Sequence, residues 1–411
     1  MEWTAEERRM LFRFSLYGFL KNQRYFEAFL VLAFLDKGLS FFQIGLLAGF
    51  AGFCTNVFEV PSGAVADLYG RRKCMIFSFS AYAAAFAVLA MSSTLWPLFL
   101  GMFFFSLGEA FRTGTHKAMI FDWLASTGRQ GQRVRVYGYT RSWSKMGSAL
   151  SALLAGGLMF VLRDYDMVFW LSIPPCVLNI INFIGYPDVV EGVPAPRRDG
   201  PSVRLHVAGA ARAAWRDPGQ RRLLLESTGF EGVFEVCKDY LQPVLQQAAL
   251  ALPVLLALAD DQRTALLVGI VYAVLFVLSS YASQHAHTLV QWKNGNEERA
   301  AQFLWAIYLA VFLALVPGLY FGWHWVVIPA FVAAYLVQNL WRPALVSRLD
   351  ACSDAATGAT TLSIESQVRS IFAMIAAPAL GWTVDHTGLW PVGVLGALSA
   401  LAALVLGRPR G

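Results

Sequence analysis

An all-α membrane protein of twelve transmembrane helices is the fold class this sequence predicts, on three observations. Of its 411 residues 57% are hydrophobic and only 15% are charged, whereas soluble domains carry about 25% charged residues. The apolar residues stand in unbroken runs of about 20, the length a helix needs to cross a bilayer, and not in the short alternating segments of a barrel. The basic residues collect in alternate loops. In lipid every backbone polar group must be satisfied within the chain, so long apolar runs become helices.

Apolar windows place the spans at 13–36, 41–66, 74–92, 96–124, 136–161, 165–186, 222–247, 264–290, 300–321, 324–346, 357–383 and 388–407. The start, Met1–Arg13, is charged and lacks the apolar core of a cleavable signal peptide, so the first span is expected to direct insertion. Segment 248–259 is too short to span and reads as an extension of the seventh helix or a turn broken at Pro253. The longest polar interruption, 187–221, opens with Pro and Arg. It continues from Val203 to Trp215 with apolar and basic residues at helical spacing, which predicts a helix lying on the membrane face. The organisation is therefore an N-terminal six-helix bundle (1–190), a linker with an interfacial helix (191–221) and a C-terminal six-helix bundle (222–411).

An even number of spans puts both termini on one side. That side carries 22 of the 33 Lys and Arg, and the opposite side has only Lys37, Arg163 and Arg263. The positive-inside rule makes the richer side cytoplasmic, as expected of a multi-pass protein of a cell inner membrane. Spread over many short loops, these cations make no nucleic-acid surface. The five cysteines (Cys54, Cys74, Cys176, Cys237, Cys352) show no CxxC or ligand spacing and read as buried thiols. No metal or cofactor is expected.

Between spans 2 and 3 stands Gly63-Ala-Val-Ala-Asp67-Leu-Tyr-Gly70-Arg71-Arg72-Lys73. Gly63 would let its helix approach a neighbour closely. Asp67 is placed to cap a helix end or pair with a cation. Gly70 permits a tight turn. Arg71, Arg72 and Lys73 would anchor that turn at an anionic leaflet. The stretch resembles the G-x-x-x-D-x-x-G-R-[RK] loop motif of the major facilitator superfamily. The twelve spans and long middle loop extend the resemblance over essentially the whole chain. It implies a secondary transporter in which helices 1, 4, 7 and 10 line a central cavity, helices 2, 5, 8 and 11 complete it, and this loop acts as a gating latch. The second-half counterpart, 291–299, does not keep the pattern. Phe104 stands four residues before Gly108, where many members carry arginine, and the fifth span has Ala-Gly-Gly (155–157) without proline. Both departures weaken a drug-antiporter reading.

Charges inside the membrane are costly, so they face cavities and pair. Helix 1 carries Lys21, Arg24 and Glu27 in three-residue steps along one stripe. Helix 2 carries Glu59. Helix 4 carries Glu109, Arg112 and His116 on one face, with Lys117 beside them. Helix 5 has Arg141 and Lys145 one turn apart; helix 7 has Glu231, Glu235, Lys238 and Asp239 at helical spacing on one face; helix 11 has Glu365 and Arg369. The first half is thus cationic and the second acidic. ArgTyrPheGluAlaPhe (24–29) and GlyValPheGluValCys (232–237) echo each other, as in transporters built from repeats.

Candidate substrate-binding residues are Lys21, Arg24, Arg112, Arg141 and Lys145, with Trp143 and Tyr240 as aromatic surfaces; guanidinium forks suit carboxylate or phosphate. Candidate proton-coupling residues are Glu27, Glu109, Glu231, Glu235 and Asp239, with Glu27 and Glu235 foremost because they match between halves. His116 reads either as a proton relay or as a satisfied polar group. The competing account of all these charges is a set of structural salt bridges. No nucleophile elbow or phosphate loop points to an enzyme. The expectation is a monomeric carrier, symporter or antiporter, of a small organic anion or zwitterion working by alternating access with protons as coupling ion. A pump for amphipathic drugs and a non-transporting receptor or scaffold are the alternatives.

Overall fold

The structure is a computed structural model describing residues 3–113, 115–187, 212, 215–251, 253, 256–352 and 358–406. At Val60, Ala64, Asp67, Leu68, 133–135, Asp350, 358–362 and Leu406 the backbone alone is described. Among these residues the chain is helical, without strands. The expected interfacial helix of 203–215 lies almost wholly outside the described residues.

The helices are α1 (Ala5–Lys21), α2 (Leu30–Asp36), α3 (Phe41–Tyr69), α4 (Arg71–Met91), α5 (Leu95–Arg112), α6 (Thr115–Ser126), α7 (Arg133–Leu162) and α8 (Met167–Ile184). They continue with α9 (Pro218–Ser227), α10 (Val233–Cys237), α11 (Leu241–Ala251), α12 (Asp260–Gln284), α13 (Ala286–Trp292), α14 (Glu297–Phe321), α15 (His324–Ala351), α16 (Gly358–Thr387) and α17 (Pro391–Leu406). Among the described residues seven helices are long and apolar enough to cross a membrane: α3, α4, α7, α8, α12, α14 and α15. The remaining expected spans are not uninterrupted apolar helices of that kind, and the broken ones are those richest in charge.

The first expected span stops at Lys21 and resumes at Leu30; residues 22–29 are turns. The break involves neither glycine nor proline. Short bonds such as Glu27 N to Arg24 O (3.0 Å) and Phe29 N to Phe26 O (3.0 Å) take up freed backbone groups. Asn22 Nδ2 donates to Gly18 O (2.7 Å) and Gln23 Nε2 to Gly147 O of α7 (3.2 Å). The fourth expected span divides into α5 and α6. The seventh is α9, a π turn at Thr228–Gly232, α10, a 3₁₀ turn at Lys238–Tyr240 and α11. Two side chains hold the π turn: Tyr308 donates to Phe230 O (3.1 Å) and Ser399 to Gly229 O (2.6 Å).

The chain forms two compact units. Unit 1 comprises Met1–Leu39, Phe50–Pro196 and Pro253–Phe276; unit 2 comprises Ser40–Gly49, Arg197–Leu252 and Val277–Gly411. In unit 1 small residues bring α1 onto α7. A Cβ on Gly18 would sit 2.6 Å from Ser144 Oγ, and one on Gly147 2.6 Å from Phe19 O. Gly156 of α7 crosses Gly269 of α12 in the same way. In unit 2 the first turn of α3 is capped by Asp385 of α16, which accepts from Phe41 N (2.9 Å) and Phe42 N (2.8 Å). Gly45 and Gly49 then lie directly against residues 377–378 and 374. At the α14–α15 turn Phe321, Trp323 and Trp325 stack in series with Trp323 and Trp325 exposed, as aromatic rings do at a membrane–water interface.

Candidate functional site

Unit 1 contains a cavity of about 490 Å³ between α1, α6 and α7. Lys21, Arg112, Lys117, Arg141 and Lys145 line it, with Asn22, Thr140, Ser144 and Ser148; among the described residues no Asp or Glu does. The glycine crossing of α1 on α7 creates this wall. Lys21 follows Gly18 by three residues and Lys145 follows Ser144 by one, so the Gly18–Ser144 contact carries the two lysines to one place. Arg141 stands one helical turn before Lys145 on the same face. The opposite side is aromatic. Tyr17 stacks on His116 at 3.7 Å, and Phe14 meets the same imidazole edge-on at 5.5 Å. His116 is buried in this stack, 3.5 Å from Tyr186 Oη, so it is a packed polar group.

Beside the cavity lies an ion cluster. Arg24 Nη2 meets Glu109 Oε1 at 2.5 Å, Arg112 pairs with the other oxygen of Glu109, and Arg112 Nε donates to Tyr82 Oη at 3.0 Å. Arg24 lines a small side chamber of about 20 Å³ with Arg112 and does not line the main cavity. The expected stripe of Lys21, Arg24 and Glu27 is corrected here. Helix α1 ends at Lys21, so Arg24 and Glu27 are carried on the non-helical turn.

Unit 2 holds a second cluster, with two acids. Arg342 Nη1 bridges Glu231 Oε2 (2.7 Å) and Glu365 Oε1 (3.0 Å), while Arg342 Nη2 reaches Glu365 Oε2 (3.2 Å). Arg369 pairs with Glu231, and Ser227 donates to Glu365. Glu231 is 2% exposed, and its Oε1 has no hydrogen-bond partner. Beside it Phe230 stacks on Trp341 at 4.3 Å. Sequence reasoning missed Arg342 by counting it with the cytoplasmic loop cations; α15 continues to Ala351 and keeps it inside the helix.

Of the acids of the seventh expected span, Glu231 is buried in the arginine cluster, while the Glu235 side chain is 58% exposed and pairs with Lys238 (2.7 Å). Asp239 sits half-buried on the 3₁₀ turn, and Glu27 half-buried on the 22–29 turn. Trp143 packs edge-on to Phe12 (5.9 Å) and Phe19 (6.4 Å), not into the cavity. Tyr240 is buried in unit 2, stacked on Phe41 at 5.4 Å.

In the loop motif, Gly70 adopts φ +93°, which only glycine takes without strain. Arg71 pairs with Asp122 of α6, and Arg72 donates to Tyr186 O at 2.7 Å; these cations pin the turn to unit 1 and not only to lipid. The expectation for Gly63 is corrected: a Cβ there meets nothing within 4 Å. The side chain of Asp67 lies outside the described residues.

The family model of the Major Facilitator Superfamily matches residues 22–364. The chain belongs to the Major Facilitator Superfamily. Solved members of similar fold include a variant of the nucleoside transporter NupG, with a TM-score of 0.79 at 13% identity over 97% of this chain and 98% of that one. A variant of a peptide transporter, POT, in complex with alafosfalin gives 0.71 at 15% identity over 99% and 96%. At such identities the likeness is one of fold. A curated relative, an uncharacterized transporter of Buchnera aphidicola, is 25% identical over 155 residues, 35% of this chain. The match spans 37% of that relative's length. As a superfamily member the chain has the fold of multi-pass membrane transporters.

Proposed function

We propose that this protein is a secondary transporter carrying a small organic anion or zwitterion by alternating access, with protons as the coupling ion. In this reading twelve spans form the halves 1–190 and 222–411, joined by 191–221, with both termini cytoplasmic in a cell inner membrane. The carrier acts as a monomer. The observation that carries the reading is the cavity of unit 1, about 490 Å³ and lined, among the described residues, by five cationic side chains and no carboxylate. Its size suits a small metabolite, and its wall recognises negative charge. The solved structures of similar fold include a nucleoside transporter and a peptide transporter.

In this reading the coupling proton belongs to Glu231. A buried carboxylate oxygen without a donor among the described residues, such as Glu231 Oε1, is where a proton rests when an arginine withdraws. Reconstitution into proteoliposomes tests the proposal. An inward proton gradient should accumulate a labelled organic anion, and Arg112→Gln should abolish uptake. Full uptake by that variant would sink it.

A further inference from the structure

We infer that the ligand of the unit 1 cavity is a phosphate monoester on a small flat organic body. The inference rests on the transporter reading and names its substrate class.

Five cations line the cavity, but they are not equally available. Arg112 is committed to Glu109 and Tyr82. Lys117 lies over the rings of Phe121 and Tyr137, 5.6 Å from each centroid. Lys21, Arg141 and Lys145 have no carboxylate partner among the described residues. Three cations in the lining where α1 crosses α7 make a surface that an external anion complements. A monoanion or a zwitterion leaves most of that charge uncompensated.

The arrangement favours one compact dianion over two separate carboxylates. Lysines act as point charges on phosphate, and arginine adds a fork. Ser144 and Ser148 stand on the same stretch of α7 as Arg141 and Lys145. Their hydroxyls donate to helix carbonyls at 3.3–3.4 Å, long bonds that a phosphate oxygen can replace. Tyr137, half-buried in the lining, gives the organic part an aromatic surface.

The test measures thermal stabilisation of the purified full-length protein at about pH 8, where a phosphate monoester carries a charge of about −2. The probes are phenyl phosphate, inorganic phosphate, benzoate, dialanine and uridine, with chloride at matched ionic strength. Phenyl phosphate should raise Tm most, and inorganic phosphate less. Lys145→Gln should weaken phenyl phosphate about tenfold, the loss of one charge-assisted contact, while Lys145→Arg retains binding. If Lys145→Gln does not fold, Arg141→Gln takes its place. Stabilisation by dialanine or uridine without any by phenyl phosphate overturns the class, as does an unchanged phosphate response in the glutamine variant. Flux assays separate the two proposals. Transport of a neutral or zwitterionic solute would keep the carrier and discard the phosphate, whereas phosphate binding without flux would do the reverse.

Discussion

The two ion clusters differ in arithmetic. In unit 1 Glu109 pairs with Arg24 and Arg112, and Lys21, Arg141 and Lys145 line the adjoining cavity without a carboxylate partner among the described residues. In unit 2 two acids, Glu231 and Glu365, face two arginines, Arg342 and Arg369, and charge is balanced within the protein. A balanced buried network rigidifies, and removing one partner strands the others. An unbalanced one awaits a counter-ion. In the proposed function, unit 1 recognises the ligand and unit 2 is a closed, proton-sensitive lock.

The largest effect should come from breaking the balanced side. Arg342→Gln leaves two carboxylates sharing Arg369 and should cost about 3–5 kcal/mol, read as a large fall in Tm. Glu109→Gln should cost less, because Arg112 lines the cavity and keeps Tyr82 as a partner. Equal losses would remove the distinction between the clusters. Glu231→Gln should come next: gradient-driven accumulation stops, while exchange of internal for external substrate continues. Persistent gradient-driven uptake in that variant would take the proton away from unit 2.

Arg141→Gln should raise KM about tenfold and leave Tm nearly unchanged, since its charge serves a ligand and no internal partner. The smallest effect is at Glu7, outside the membrane-spanning part. Thr4 and Glu7 form a capping box at the start of α1, and Arg129 donates to both oxygens of Glu7 at 2.6 and 2.9 Å. The Arg129 hydrogen bond holds this carboxyl below its usual range. A depressed folded-state value adds stability above the unfolded value of about 4.3 and loses it as pH falls through the folded value. The Tm difference between wild type and Glu7→Gln should therefore be present at neutral pH and vanish in acid. A difference that grows in acid would contradict the pairing.

Much of this architecture is legible in the residues. Glu109 and Arg112, three apart, announce their pair, and Gly70 announces its turn. The wall cations Lys21, Arg112, Arg141 and Lys145 are recognisable because charge inside an apolar run has to face a cavity. What escapes the sequence is tertiary. Residues 22–29 leave the helix without a glycine or proline, held by the side chains of Asn22 and Gln23. The π turn at Thr228–Gly232 rests on Tyr308 and Ser399, far along the chain. Arg342 is invisible to a hydropathy window because it sits near the expected end of a span, where loop cations also occur.

The central claim is that the cations unpaired in unit 1 bind the transported anion. Uptake of a labelled organic anion into proteoliposomes, comparing wild type with the Arg141→Gln/Lys145→Gln double variant at equal reconstituted amounts, tests it directly. The account predicts saturable uptake by wild type, and by the double variant none above empty liposomes. Equal uptake by the two would contradict it.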